Sequence, residues 1–416
     1  MDAPVLLILI LSFVTFDFIL EQILDFLNLK HQKKEIPDDL KGIYDEEKYQ
    51  QSLAYQKENT KLSFITSSLS FLLAFTLLAT GGFGYIDSLL RNSIDNSDLL
   101  PLVYFGVLFL ASDLLNTPFQ WYHTFVIEEK FGFNKTTPKL FIIDKLKGYL
   151  IAFIIGGLLL WILIMLLNQL GEGFWIYFLL VIAVFMLFMN MFYTTLILPL
   201  FNKLTPLEDG ALKQAIHNYS LQINFPIHNI FVIDGSKRSG KANAFFSGLG
   251  RKKKIVLYDT LINNHSIEEL VAVLAHEVGH YKKRHIISGL ALSVFQVAIM
   301  LFILSKMIFN EQLSLALGAE QWGIHLNLMA FTILYSPISR VTGLLMNVFS
   351  RKNEFEADAF ATNTYDGDAL KVALKKLSVD NLSNLLPHYL YVFFHYSHPP
   401  LLQRLKAIDL KQKQLS

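Results

Sequence analysis

Two histidines and a glutamate stand in the order His-Glu-x-x-His: His276, Glu277 and His280. On an α-helix, residues four apart lie one above the other, so both imidazoles can hold one metal ion. Glu277 projects about 100° away, within reach of a water on that ion but not placed to ligate it beside both histidines. The set suits a zinc hydrolase: two neutral nitrogens, an open position and a nearby base. The same pattern arises by chance on ordinary helices, so its surroundings decide. Ser266-Ile267-Glu268-Glu269 has the form of a capping box and predicts a helix start upstream. Leu270, Val271, Val273, Leu274 and Val278 make that helix apolar, an odd setting for two histidines without a metal.

A catalytic zinc takes one more protein ligand. The chain has no cysteine, which excludes disulfides and thiolate ligands and leaves His, Asp and Glu. Residues 351–361 read as helix, with Glu354 and Asp358 four apart on one face. Glu354 could complete the metal site, and Asp358 could receive the N–H of a ligating histidine. The same spacing serves a solvated acidic face, which is the reading that Glu356 receives on the other side.

These residues need elements to carry them. Of the 416 residues, 53% are hydrophobic, too many for an ordinary soluble protein. Lys and Arg number 36 against 35 Asp and Glu, so no global field suggests nucleic acid as a partner. Apolar runs long enough to cross a bilayer cover about 3–27, 62–80, 101–126, 148–168, 174–200, 286–308 and 323–349. The first lacks the basic start and small-residue cleavage site of a signal peptide, so a retained helix is expected. Four segments follow: a membrane region 1–200 with five spans, an insert 201–284, spans six and seven in 285–350, and a helical tail 351–416. The insert reads as cytoplasmic. Short strands are expected near 231–234, 244–246 and 254–258, ahead of the metal-motif helix. Basic residues crowd alternate loops, which puts the N-terminus outside and the zinc motif and C-terminus in the cytoplasm. Asp17, Glu21, Asp113 and Arg340 lie in or beside apolar runs and are expected to face a bundle interior.

The chain resembles the CaaX prenyl protease family of integral-membrane zinc metalloproteases. The two zinc motifs carry the likeness, together with residues 125–134 (FVIEEKFGFN), 234–239 (DGSKRS), 243–248 (NAFFSG), 254–261 (KIVLYDTL) and 396–404 (YSHPPLLQR). The resemblance implies a mainly α, polytopic fold: seven transmembrane helices enclose a chamber, and a gluzincin-like region contains a small sheet. It implies one Zn²⁺ per chain on His276, His280 and Glu354, with Glu277 as general base. It places His398 and Arg404 in the active site, Asp358 beside a ligand, and Asn243 and Ala244 on the strand that holds substrate. The implied partners are membrane lipids and a peptide or protein substrate, whose C-terminus is prenylated in the family's best-known reaction. Absent cysteine, short outer loops and the lack of a retention signal lean towards a bacterial inner membrane, with the endoplasmic reticulum as the eukaryotic counterpart. Bacteria do not generally prenylate proteins, so quality-control proteolysis of membrane proteins is the alternative. A transporter or channel would explain the buried charges but not the zinc motifs.

Overall fold

The computed structural model describes residues 1–33, 35–36, 41–225, 229–248 and 253–415. In hydrocarbon a backbone must satisfy its own polar groups, and the apolar runs do so by coiling into helices. The chain opens with α1 (Ala3–His31), α2 (Glu46–Ala79), α3 (Gly82–Arg91) and α4 (Leu99–Tyr122). A π-helical turn at His123–Glu128 continues α4. Next, α5 (Pro138–Ile151) passes through a second π-helical turn, Ala152–Gly156, into α6 (Gly157–Leu170). Gly171–Gly173 joins α6 to α7 (Phe174–Leu196), and α8 (Leu198–Phe201) leads to the sheet region.

There the chain forms β1 (Leu204–Pro206), α9 (Ala211–Gln222), β2 (Ile230–Ile233), β3 (Ala244–Ser247), β4 (Lys254–Tyr258) and α10 (Asp259–Asn264). The metal motif lies on α11 (Ile267–Lys282). Then come α12 (His285–Met307), α13 (Glu311–Ala316), α14 (Ile324–Leu334) and α15 (Ser336–Thr364). The chain closes with α16 (Gly367–Asp380), α17 (Tyr389–His395) and α18 (Leu401–Leu415).

Among the described residues, five helical stretches are long and apolar enough to cross a membrane, and a sixth, α14 with α15, is bent by 53°. One of the five, Pro138–Phe201, is 64 residues long. Leu163 and Leu167 before its Gly171 turn share a core with Phe174 and Phe178 after it, so the stretch folds back on itself. The expected seven spans require that stretch to count as two and the bent pair as one. The polar stretch after α1 is not all connection. Helix α2 begins at Glu46, well before its apolar half, and buries Tyr49, Ser52 and Tyr55. Tyr49 and Tyr55 belong to one core with α11, the sheet and the C-terminal helices, so the region around the metal-motif helix draws on nearly the whole chain.

The sheet runs in the order β1-β2-β4-β3, with β2 and β4 parallel and the other pairs antiparallel. Three of its strands match the expected ones. β1 was not expected: it is three residues long and ends in proline, too short for periodicity to register. Among the described residues β3 is an edge, so one side of its backbone faces no other described strand.

Helix α11 starts as expected. The Ser266 hydroxyl accepts from the Glu269 N–H, and the Glu269 carboxylate accepts from the Ser266 N–H. It crosses α15 at Gly279, where an added Cβ would meet Ala357 Cα at 3.1 Å, its carbonyl oxygen at 3.2 Å and Phe360 Cβ at 3.2 Å. Gly279→Val is therefore expected to push the two helices apart. Overpacking of this kind costs about 1–3 kcal/mol. Thermal melts should register the loss, and zinc titration should show weaker binding, since the expected ligands His276 and His280 lie on one of these helices and Glu354 on the other.

Charged residues in the apolar runs are paired. Arg340 holds Asp17 at 2.9 Å and Glu21 at 2.8 Å, and His395 lies 3.2 Å from Glu21. All four line a cavity of about 860 Å³, in keeping with the interior expected for Asp17, Glu21 and Arg340. Asp113 instead pairs with Lys145 at 2.7 Å and with Tyr149.

Candidate active site

Helices α11 and α15 bring together residues 74 positions apart in sequence. Nε2 of His276 lies 3.1 Å from Nε2 of His280. Glu354 offers Oε1 at 3.2 Å from His280 Nε2 and Oε2 at 3.4 Å from His276 Nε2. A tetrahedral ion with ligand bonds of about 2.0–2.1 Å separates its donors by roughly 3.3 Å, so the three edges match that triangle. The Glu354 carboxylate is 4% exposed as a residue, and its Oε2 is buried without a hydrogen-bond partner. A buried oxygen left this way is costly unless something cationic completes it. Three carboxylates, Glu277, Glu354 and Asp358, face one guanidinium, Arg404, an excess of negative charge suited to a divalent cation. On geometry and charge the residues fit a zinc ion.

Asp358, Arg404 and His398 converge on this point. Asp358 is 1% exposed and lies 2.9 Å from Nδ1 of His276, the nitrogen turned away from the other donors. Arg404 on α18 grips Asp358 with two hydrogen bonds, 2.8 Å from Nε and 2.6 Å from Nη2. Its Nη1 also lies 3.5 Å from Glu354. Burial works against a charged His276, but Asp358 and Glu354 outweigh it and lift its pKa to about 9. An ion taking the Nε2 position must displace that proton, so metal binding releases one. Burial raises the pKa of Glu277, while the neighbouring histidines oppose the rise.

His398 reaches Glu354 Oε1 at 3.3 Å, although its side chain is 65% exposed. It sits at the mouth of a cavity of about 620 Å³ that Arg404 also lines. Pro399 and Pro400 follow it, ahead of α18, and hold the backbone before them extended. Two groups of α15 tether the preceding segment: Asn347 donates to the Phe394 carbonyl at 2.8 Å and Arg351 to the Tyr396 carbonyl at 2.5 Å.

Asn243 and Ala244 lie at the start of the edge strand. The Tyr258 N–H donates to the Asn243 carbonyl at 3.1 Å, which turns the Ala244 N–H away from β4. That N–H donates to Asn243 Oδ1 at 2.8 Å, an oxygen placed on the free edge. The strand packs against the metal helix, with the Phe246 and Tyr281 rings 5.0 Å apart.

Several partners were not legible from sequence. Asn381 pairs with both backbone groups of Ala242: its Oδ1 accepts at 3.1 Å and its Nδ2 donates at 3.2 Å. Lys241 stands between Glu128 at 3.1 Å and the Tyr55 hydroxyl at 2.8 Å. The Gly240 N–H donates to the Phe133 carbonyl at 2.9 Å. The segment 125–134 thus clasps the approach to β3, and its π-helical turn supplies Glu128. Glu356 is not merely solvated, as its face suggested, because His285 lies 3.2 Å from it. A histidine at the boundary between motif helix and span was the one available signal.

Residues 25–203 match the family model described as the CAAX prenyl protease N-terminal region with five membrane helices, and residues 206–411 match peptidase family M48. The CAAX prenyl protease 1 homolog of Oryza sativa subsp. japonica is 34% identical over 413 residues, covering 96% of each chain. CAAX prenyl protease 1 of Saccharomyces cerevisiae is 36% identical over 324 residues, 74% of this chain and 72% of that one. The Homo sapiens homolog is 32% identical over 424 residues, covering 90% and 88%. The crystal structure of S. mikatae Ste24p matches with a TM-score of 0.92 at 32% identity, over 97% of this chain and 99% of that one. These relatives are eukaryotic and lend no weight to the bacterial membrane that composition suggested. Along almost its whole length and in its fold, the chain belongs to the M48 peptidases, as an integral-membrane metalloprotease of the CaaX prenyl protease type.

Proposed function

We propose that the chain holds one zinc ion on His276, His280 and Glu354 and hydrolyses a peptide bond near the C-terminus of a prenylated CaaX protein. The reading rests above all on the donor spacings of 3.1, 3.2 and 3.4 Å around a buried carboxylate oxygen that makes no hydrogen bond. When bound, zinc would polarise the scissile carbonyl and acidify the attacking water. Glu277 takes the proton of that water and returns it to the leaving amine. His398 donates to the oxyanion as it develops. Asp358 accepts the Nδ1–H of His276 and so holds its ring, and Arg404 fixes Asp358. Substrate lies extended along the free edge of β3, its backbone pairing with the outward groups of Ala244 and Phe246. The distribution of Lys and Arg supports a cytoplasmic position for this face.

The clasp on the strand makes its own prediction. Lys241→Met leaves Glu128 with the Tyr55 hydroxyl and with His123, 3.7 Å away, and loosens the start of β3. A partly buried ion pair of this kind is worth about 1 kcal/mol, so KM is expected to rise roughly fivefold. Zinc content and turnover should stay near those of the parent. An unchanged KM would show that the clasp does not position substrate.

The function itself is tested with purified protein and matched farnesylated and unfarnesylated CaaX peptides. Cleavage of the farnesylated peptide, abolished by chelator and restored by zinc, is the expected result. Equal cleavage of both would remove the prenyl requirement and favour general membrane proteolysis. Cleavage that survives complete chelation would overturn the metal assignment.

A further inference from the structure

His280 has a second partner that the chemistry above does not use. Its Nδ1 lies 3.1 Å from Nδ1 of His285, and Nε2 of His285 lies 3.2 Å from Oε2 of Glu356. His285 is 8% exposed. A neutral histidine that ligates through Nε2 carries its proton on Nδ1. Two Nδ1 atoms in contact share one hydrogen, so His280 donates and His285 accepts. His285 then keeps its own proton on Nε2 and donates it to Glu356. The tautomers run in one direction, from the metal position outward to the carboxylate.

The backbone is shaped for this contact. On one continuous helix, residues five apart point about 140° away from each other. Between α11 and α12, however, Arg284 takes the left-handed conformation, with φ 60°. A non-glycine residue there is strained by about 1–2 kcal/mol. The turn starts α12 in a new direction and returns His285 to the ring of His280. Strain of this kind persists where the surroundings require it and collects at functional sites. Helix α15 meets His280 from both edges of its ring. Glu354 reaches Nε2 directly, and Glu356, two residues on, reaches Nδ1 through His285.

We propose that His285 and Glu356 are positioning residues, a hydrogen-bond relay that fixes the tautomer and ring orientation of His280. They would do for His280 what Asp358 and Arg404 do for His276. The proposal rests on the assignment of His276, His280 and Glu354 as metal ligands. The two braces differ. Asp358 is 1% exposed and held by Arg404, whereas the Glu356 side chain is 40% exposed, with Lys352 3.8 Å away. His280 is thus the histidine ligand whose support opens to solvent.

The test measures the Zn²⁺ dissociation constant of the full-length chain in detergent by competition with a chelator. His285→Phe keeps a ring but removes the acceptor, and the constant is expected to rise about 10–100-fold, the usual effect of losing such a partner. His285→Asn restores an acceptor near the Nδ1 position and should bring affinity back to within a few-fold of the parent. Glu356→Leu should weaken binding and Glu356→Gln should weaken it less, with melting of the zinc-free proteins unchanged. Parental affinity in His285→Phe would overturn the relay, as would equal losses in His285→Phe and His285→Asn, which mean packing alone. A parent chain that binds no Zn²⁺ would instead remove the metal-site assignment and the relay with it.

Discussion

Glu277→Ala is expected to lower turnover about a thousandfold, the middle of the range for removing a positioned general base. Zinc should remain bound at one ion per chain, because Glu277 is not among the three converging donors. It sits one residue beyond His276, among the charges of the site. The loss should appear in kcat and equally in kcat/KM, since a proton transfer is made only on the way to the transition state. Glu277→Gln keeps the shape and serves as the stricter control. Undiminished cleavage by either variant, with zinc confirmed by elemental analysis, would sink the proposed mechanism.

Glu354→Ala is expected to act differently, by emptying the site. Among the described residues, it removes the only carboxylate that reaches both His276 and His280. Losing a partner that merely supports a ligand weakens metal binding by about 10–100-fold, and losing the ligand itself should exceed that. In the parent chain, zinc should raise the melting temperature, because a ligand that binds only the folded state stabilises it. In the variant that zinc-dependent rise should vanish along with activity. The zinc-free melting temperatures should stay closer together, since Arg404 keeps its two hydrogen bonds to Asp358. Elemental analysis and paired melts check this. A variant that still carries one zinc per chain and cleaves normally would show that Glu354 is not a ligand.

Much of the site was legible because helical period is a local property. His276 and His280 share a face for the reason that any residues four apart do, and Ser266 with Glu269 marks the helix start within one turn. The β2 and β4 segments declare themselves as short apolar runs. The same locality explains the misses. The first half of α2 is polar and reads as a connector, yet Ser52 donates to the carbonyls of Leu382 and Ser383, over 300 residues away. Nothing near Ser52 announces that partner. β1 is stabilised by pairing with β2 rather than by its own three residues.

The sequence by itself determined the chemistry on offer: two histidines and a base on one helix, two carboxylates on another, no cysteine, and membrane spans between them. Only the tertiary structure decided which carboxylate meets which histidine. Spacing puts Glu354 and Asp358 on one face and Glu356 on another, and from that alone Glu356 looked solvated. Gly279 lets α11 approach α15 closely enough for Glu354 to reach both Nε2 atoms. The left-handed turn at Arg284 swings His285 back and gives Glu356 its partner. Both are contacts between distant elements. They depend on how closely helices can pack and how sharply the chain can turn, and no periodicity within a single helix encodes either.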